Sequence, residues 1–193
     1  MNIIKRACTI AIFCGYSLGA VYSASADVPG EFRVCYDFAC KSSAMVQFSE
    51  QDWDKVVGLF YLNADASEER QRMREAVATM ESLVGYYTPT HRDVGMNWPA
   101  NSESASLPSG QMDCIDESIN TSTYLKLLEK EGLLKFHLVR ERAYRRSLLT
   151  QHWAAQVVET ANGQHYVIDS WFEDNGELPI LVNGKAWHDL SLF

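Results

Sequence analysis

The chain has 193 residues, of which 47% are hydrophobic and 22% are charged, and both fractions are ordinary for a globular protein. Its 25 acidic residues outnumber the 17 basic ones, which gives a formal net charge of −8. This balance argues against nucleic acid as a partner, because binding to phosphates needs clustered lysine and arginine.

The N-terminal segment is typical of a secretory signal peptide. Two basic residues precede an apolar run over 7–21, and the small residues 24–26 suit a signal peptidase. The run is shorter than the roughly 20 residues that a spanning helix needs. We therefore expect a signal peptide over 1–26 and a mature chain of one domain over 27–193. That chain would be periplasmic or secreted and would have no membrane span.

Three cysteines remain after the predicted cleavage site. Cys35 and Cys40 lie close together, and in an oxidising compartment they favour a structural disulfide. A redox-active pair is the alternative, although the usual C-x-x-C spacing is absent. Cys114 is then the odd thiol, and an unpaired cysteine in an exported protein is a candidate reactive group.

In chain order, the pattern predicts a hairpin and then three helices. Residues 27–48 alternate as a small disulfide-pinned hairpin would. Apolar residues at three- and four-residue steps predict helices over about 49–60, 67–87 and 114–131. Residues 88–110 are rich in Pro, Ser, Asn and Gly and predict a long loop of the kind that often binds or covers a ligand.

After the third helix the hydrophobic period changes to two. Residues 136–139, 152–158 and 165–169 read as strands, and 179–182 adds an edge strand. Helices followed by an antiparallel sheet predict an α+β fold, in which the N-terminal helices pack on the sheet.

Cys114 begins the third predicted helix between Asp113 and Asp116. Backbone N–H groups at a helix start favour a thiolate, so Cys114 is a candidate nucleophile; an inert buried thiol is the alternative interpretation. A thiol attacks when an imidazole takes its proton and a carboxylate orients that imidazole. The sequence supplies both in order, with His152 at the start of one strand and Asp169 at the end of the next.

The hairpin that joins these two strands determines whether their side chains meet. Asn162-Gly163 predicts a two-residue turn, which would set His152 opposite Glu173. Asp169 would then lie on the same face but about 13 Å further along its strand. A bulge or a wider loop is therefore needed to bring the imidazole and the carboxylate together.

Several short motifs resemble those of the bacterial transglutaminase-like cysteine peptidases, a family of the papain-like and transglutaminase-like superfamily. They follow in the family's order over residues 106–175: Asp113-Cys114-x-Asp116, His152, Val167-Ile168-Asp169 and Asp169-Ser170-Trp171. The resemblance implies a papain/transglutaminase-like core and a protein or peptide substrate cleaved through an acyl-enzyme. It assigns Cys114 as the nucleophile, His152 as the general base and acid, and Asp169 as the orienting carboxylate.

The residues around the cysteine suggest two further roles. Some members of the family bind calcium through acids flanking the cysteine; Asp113 and Asp116 match that neighbourhood, while Ile115 stands where an acid is common. No other cofactor is expected. Gln111 is a candidate to stabilise an oxyanion together with the backbone N–H of Cys114.

Alternatives remain open for both the site and the function. His165 shares a strand face with Asp169, so it could replace His152 as the base or join both at a zinc site. Cell-wall amidases or endopeptidases of the NlpC/P60 type also place a cysteine at a helix start, although their following Ser-Gly is replaced here by Ile115-Asp116. A non-catalytic transglutaminase-like scaffold with Cys114 buried is the third possibility.

One basic cluster stands out on this acidic chain. Four arginines are concentrated within seven residues: Arg140, Arg142, Arg145 and Arg146. Such a cluster is usually a solvated surface, but it could also steer an acidic substrate.

Overall fold

The computed structural model describes residues 27–98, 107–146 and 150–189, so the predicted signal peptide lies outside the described residues. Within these ranges the chain forms two antiparallel sheets, four α-helices and one short 3-10 helix (Pro89–Arg92), which confirms the predicted α+β class. In chain order the elements are β1 (Phe32–Tyr36), β2 (Ser42–Val46), α1 (Glu50–Gly58), α2 (Ala66–Gly85), α3 (Cys114–Lys130), β3 (His137–Arg146), β4 (Gln151–Glu159), β5 (His165–Asp169), β6 (Ile180–Asn183) and α4 (Gly184–Asp189).

The three longer helices begin at side-chain caps that are visible in the sequence. Ser49 caps α1 and Asp65 caps α2 by accepting backbone N–H groups of the first turn. At α3, Asp113 and Asp116 form a capping box, in which each carboxylate accepts the other's backbone N–H. This capping box makes Cys114 the first helical residue, as the sequence predicts.

The four-stranded sheet, in the order β3-β4-β5-β6, has a different core on each face. One face packs on α2 and α3 through Ala155, Val157 and Ile168 in the main core. The other face packs on α4, in a smaller core of buried residues: Ala143, Ala154, Val167 and Trp187. Because successive strand residues point to opposite faces, neighbours on β4 and β5 contribute to different cores.

The β1–β2 hairpin is fastened to the start of α3. Cys35 and Cys40 form the predicted disulfide, and the four residues 37–40 all have left-handed φ angles between 51° and 66°. This conformation costs roughly 1–2 kcal/mol per residue for residues other than glycine. The N–H groups of this turn are held by the helix: Ala39 donates to Asp113 and Cys40 donates to Asp116, at 3.1 and 2.5 Å.

The loop between β4 and β5 is wider than predicted. Glu159 pairs with Gln164 through a 2.9 Å backbone hydrogen bond, so residues 160–163 form a four-residue loop and the predicted two-residue turn is wrong. Each residue of β4 therefore pairs with a β5 residue two positions earlier than a two-residue turn would give. Asp169 falls opposite Ala154, two residues from His152 and about 7 Å along the strand rather than 13 Å.

Other parts of the C-terminal half were only partly predicted. The edge strand is confirmed as β6, but α4 after it was missed. β3 runs to Arg146, well beyond the four residues predicted, and has a bulge between Arg140 and Ala143. Within the described ranges, no helix combines the length and apolarity needed to cross a membrane.

Candidate functional site

Cys114 is a buried thiol, only 5% exposed, at the N-terminus of α3. The backbone N–H of Trp153 on β4 lies near its sulfur and acts to lower the pKa of the thiol. Burial raises the pKa of the Cys114 thiol to about 11, and the negative charges of Asp113 and Asp169 act in the same direction. The thiol is therefore neutral at physiological pH, and attack on a substrate needs a base to remove its proton.

His152 and Asp169 meet as the shifted register allows. The Nε2 of His152 lies 2.7 Å from the Oδ2 of Asp169, and both side chains are 1% exposed. With Asp169 ionised, this hydrogen bond holds the ring proton on Nε2, which makes Nδ1 an acceptor. That Nδ1 is buried and has no hydrogen-bond partner, so the Cys114 thiol does not donate to it in this structure.

Aromatic rings enclose the His152–Asp169 pair. The His152 ring contacts Trp171 and Phe172 from the segment after β5, with centroids 4.9 and 5.6 Å away, and Trp187 from α4 at 5.6 Å. The indole N–H of Trp187 donates to the same Asp169 oxygen at 2.7 Å. Two donors therefore hold one carboxylate oxygen in a dry environment, where hydrogen bonds to a charge are strongest.

The contribution of Trp187 could not be predicted from sequence. α4 has six residues, which is too short for a helical period to be recognised, and it follows directly on the predicted edge strand. Arg145 on β3 holds Trp187 in place. Its guanidinium lies 4.4 Å above the Trp187 ring and donates to the Trp187 carbonyl at 2.5 Å.

A Trp187→Phe substitution tests the hydrogen bond to Asp169. We expect it to lower the free energy of unfolding by about 2 kcal/mol more than Trp53→Phe, measured by urea denaturation. Trp53 is the matched control because it is equally buried (1% against 0% exposed) and its indole N–H has no partner. Equal losses for both variants would show that the Trp187 hydrogen bond contributes nothing.

Gln111, the predicted oxyanion donor, is buried just before α3. Its side-chain amide donates to the Arg92 carbonyl at 2.6 Å and accepts from the Asn97 amide, so it ties the segment after α2 to the start of α3. The carbonyl of Arg92 accepts from one of the two N–H groups of the Gln111 amide. Its role toward an oxyanion stays a prediction.

The carboxylates of the predicted calcium ligands, Asp113 and Asp116, accept hydrogen bonds from backbone N–H groups. Asp113 accepts from the N–H groups of Ile115 and Ala39 as well as that of Asp116, and Asp116 accepts from Cys40. Among the described residues, the one His/Cys/Asp/Glu group with ligand atoms close enough for a metal combines Asp116 with the two disulfide sulfurs. Those sulfurs are not thiolates. These acids act structurally here, and calcium binding stays a prediction.

A buried group of three carboxyls, which the sequence did not reveal, lies behind the site. Glu81 on α2, Asp93 in the following loop and Glu117 on α3 are each 3–5% exposed. The carboxyls of Asp93 and Glu117 lie close enough to interact, which favours a proton on one of the two. Asp93 also accepts from the Met112 N–H, and Glu81 accepts from Gly176. These three carboxyls, the acid cluster, thereby join α2 and the loop after it to the start of α3 and to the segment after β5.

Burial is the main cause of the altered titration of the acid cluster. It raises the pKa values of Glu81 and Asp93 to about 7, and it raises the pKa of Glu117 well above its usual range, with the charges of Glu81 and Asp93 adding to the effect. A raised pKa in the folded state means that the folded protein binds more protons than the unfolded chain. The resulting stabilisation is complete below about pH 4 and is lost as the pH rises through 7.

We therefore expect the free energy of unfolding to fall between pH 5 and pH 8 and expect Glu117→Gln to reduce that slope. The amide cannot ionise, so the variant should exceed the wild type in stability by about 1–3 kcal/mol at pH 8. Urea denaturation at a series of pH values measures both. Glu131→Gln, near the C-terminal end of α3, is the control and should leave the slope unchanged. Identical slopes for wild type and Glu117→Gln would contradict the account.

The structure brings together only part of the predicted site set. His152 and Asp169 are hydrogen-bonded, and Cys114 contacts the backbone of Trp153 beside them. His165 is exposed at the far end of β5, where it contacts Gln156. No protein-family model, curated protein or solved structure matches the chain. The peptidase family expected from the sequence therefore stays a prediction.

Proposed function

We propose that the protein is an exported thiol hydrolase, most closely of the transglutaminase-like cysteine peptidase type, that cleaves amide bonds in proteins or peptides through an acyl-enzyme on Cys114. The observation that carries the proposal is the 2.7 Å hydrogen bond between His152 and Asp169 beside an unpaired thiol at a helix start. The Cys35–Cys40 disulfide and the predicted signal peptide support an oxidising, extracytoplasmic location.

The first chemical step is general-base catalysis rather than attack by a resting thiolate, because the pKa of Cys114 is about 11. His152 Nδ1 removes the thiol proton as the sulfur bonds to the substrate carbonyl carbon. The imidazolium that forms is stabilised by Asp169, which holds the opposite nitrogen. The developing oxyanion accepts from the Cys114 backbone N–H, with the Gln111 amide as the second candidate donor.

The remaining steps return the site to its starting state. His152 gives its proton to the leaving nitrogen, the C–N bond breaks and a thioester forms on Cys114. A water molecule then loses a proton to His152 and attacks the thioester carbon. The C–S bond breaks, a carboxylic acid leaves and the Cys114 thiol regains its proton.

The missing hydrogen bond between Cys114 and His152 is compatible with this chemistry. Catalytic hydrogen bonds are often long or misaligned without substrate and tighten when it binds. The Nδ1 atom is buried without a partner, which costs free energy that a bond to the thiol would recover. Rotation of the cysteine side chain about χ1 is the smallest movement that can change the direction of the sulfur.

A non-catalytic scaffold is the second candidate, and the burial of Cys114 favours it. A thiol that is 5% exposed, with a raised pKa, has the properties of an inert core cysteine. In this case the His152–Asp169 pair would serve only to join β4 to β5, and the protein would act by binding a partner.

Alkylation of Cys114 with chloroacetamide distinguishes the two candidates. For the hydrolase, we expect labelling of the folded protein near neutral pH, well below the thiol pKa of about 11, because His152 removes the thiol proton. Mass spectrometry of tryptic peptides identifies the labelled residue, and circular dichroism confirms that the protein stays folded. Labelling that occurs only in denaturant would reject the hydrolase and support the scaffold.

A further inference from the structure

A cavity that does not include the thiol lies between α3 and the bulge of β3. It has a volume of about 140 Å³. One wall is a single face of α3, with residues at the i, i+3, i+4 and i+7 spacing of a helix: Ile119, Ser122, Thr123 and Lys126. The other wall is formed by residues 140–142 of the bulge.

The bulge determines which side chains form the second wall. Arg140 pairs with Gln156 and Ala143 pairs with Ala154, so two residues of β3, Glu141 and Arg142, stand opposite one residue of β4. Bulges redirect side chains and are common beside functional sites. Here the irregularity places three consecutive charged residues against a helix face.

The cavity is positively charged on a chain whose formal net charge is −8. Lys126, Arg140 and Arg142 contribute three cations, and Glu141 is the single carboxylate in the lining. Among the residues that the structure describes, none of the three cations has a carboxylate oxygen within 4.0 Å. The lining therefore carries two uncompensated positive charges.

A buried hydroxyl in the same lining has no partner. Ser122 is 6% exposed, and its Oγ makes no hydrogen bond. The neighbouring Thr123 instead donates to the Ile119 carbonyl at 2.9 Å, which is how a hydroxyl in a helix usually finds a partner. An unpaired buried hydroxyl is costly, so Ser122 is a donor in place for a ligand that accepts hydrogen bonds.

Arg142 is held in position while most of its donors stay open. One of its nitrogens donates to Ser118 Oγ at 2.9 Å, and its guanidinium lies 4.8 Å above the Trp153 ring. A guanidinium has five N–H donors, of which this bond uses one. Its planar fork matches the oxygens of a carboxylate or a phosphate.

We propose that this cavity binds a small oxyanion, the phosphate or carboxylate group of a ligand, through Ser122, Arg140 and Arg142, with Lys126 adding positive charge. The volume fits one such group, whereas pockets for drug-sized ligands measure about 300–1,000 Å³. The site is independent of whether Cys114 is catalytic. The sequence predicted that the basic cluster could steer an acidic substrate. The proposal assigns Arg140 and Arg142 of that cluster to a defined cavity.

Titration of the folded protein with inorganic phosphate, followed by the indole N–H resonance of Trp153, tests the site. Trp153→Phe assigns the resonance. Acetate serves as the second titrant, and the anion that gives the larger response shows whether the cavity prefers a phosphate or a carboxylate group. We expect a saturable shift with at least one of them. Ser122→Ala and Arg140→Gln should each weaken the binding about tenfold.

Arg33→Gln on β1 is the matched control, since it removes the same charge from an exposed position outside the cavity. It should change the dissociation constant less than twofold. A shift that does not saturate with either anion would overturn the proposal, as would an Arg33→Gln variant that weakens binding as much as Arg140→Gln. Circular dichroism of each variant establishes that it is folded.

Discussion

Replacing His152 with alanine is expected to lower kcat/KM for hydrolysis of a peptide or activated ester by about 10³-fold, the typical contribution of a general base. The reason lies in the thiol. With a pKa of about 11, fewer than about one Cys114 thiol in 10³ is ionised at pH 7.5, so the reaction depends on transfer of its proton to the imidazole. The variant should also require higher pH to recover activity.

Asp169→Asn should also lower kcat/KM, because the amide can still accept from His152 but cannot stabilise the imidazolium with a charge. His165→Ala is the control for loss of a histidine, and its activity should stay within twofold of the wild type because His165 is exposed at the other end of β5. A folded His152→Ala protein that keeps more than a tenth of the activity would exclude His152 as the base.

The second large effect is expected at Glu69, a fully buried carboxylate on α2. It accepts hydrogen bonds from the His137 ring at 2.9 Å, the backbone N–H groups of Lys135 and Phe136 at 2.6 and 2.9 Å, and the Asn63 amide at 2.7 Å. Burial alone would raise its pKa, but these four donors together lower it. One charged group thus joins α2 to the segment that enters β3.

Glu69→Ala should lower the free energy of unfolding by about 3–5 kcal/mol, because it leaves buried donors without an acceptor. Glu68→Ala, at the exposed neighbouring position, should cost about 1 kcal/mol or less. Since the pKa of Glu69 is lowered in the folded protein, its stabilisation exists above about pH 4 and is lost as the pH falls, opposite in sign to the acid cluster. Urea denaturation at pH 7 measures both variants; a loss below about 1.5 kcal/mol for Glu69→Ala would contradict this role.

Features that depend on local chemistry could be predicted from the sequence. The start of α3 at Cys114 follows from a capping box between residues three apart, and the Cys35–Cys40 disulfide follows from proximity and compartment. The hydrophobic periods likewise predicted the order of helices and strands. These signals involve neighbouring residues, so tertiary contacts did not override them.

Features that depend on the meeting of distant segments were mostly missed. Asn162-Gly163 does lie in a turn, but the Gln164 N–H bonds to the Asn162 side chain and the loop takes four residues, which shifts the register by two. That shift is what lets His152 reach Asp169. Turn propensity identifies a reversal but does not determine the length of its loop.

The acid cluster was missed for a different reason. Glu81 and Glu117 lie on amphipathic helices, where an acidic residue is normally assigned to the solvated face. Only the three-dimensional arrangement shows that α2, α3 and the loop carrying Asp93 bring these carboxyls together behind the candidate site. Trp187, which donates to Asp169 from the end of the chain, could be recognised only in the same way.

Trapping of an acyl-enzyme tests the proposed nucleophile most directly. The folded wild-type protein is mixed with p-nitrophenyl acetate, quenched in acid within seconds and measured as an intact protein by mass spectrometry, and the acyl group is then located by peptide mapping. The proposal predicts one acetyl group per molecule, on Cys114, that is lost with time in the wild type and does not form in Cys114→Ala or, at neutral pH, in His152→Ala. Absence of the acetyl group from Cys114, or equal acetylation of Cys114 in His152→Ala, would contradict it.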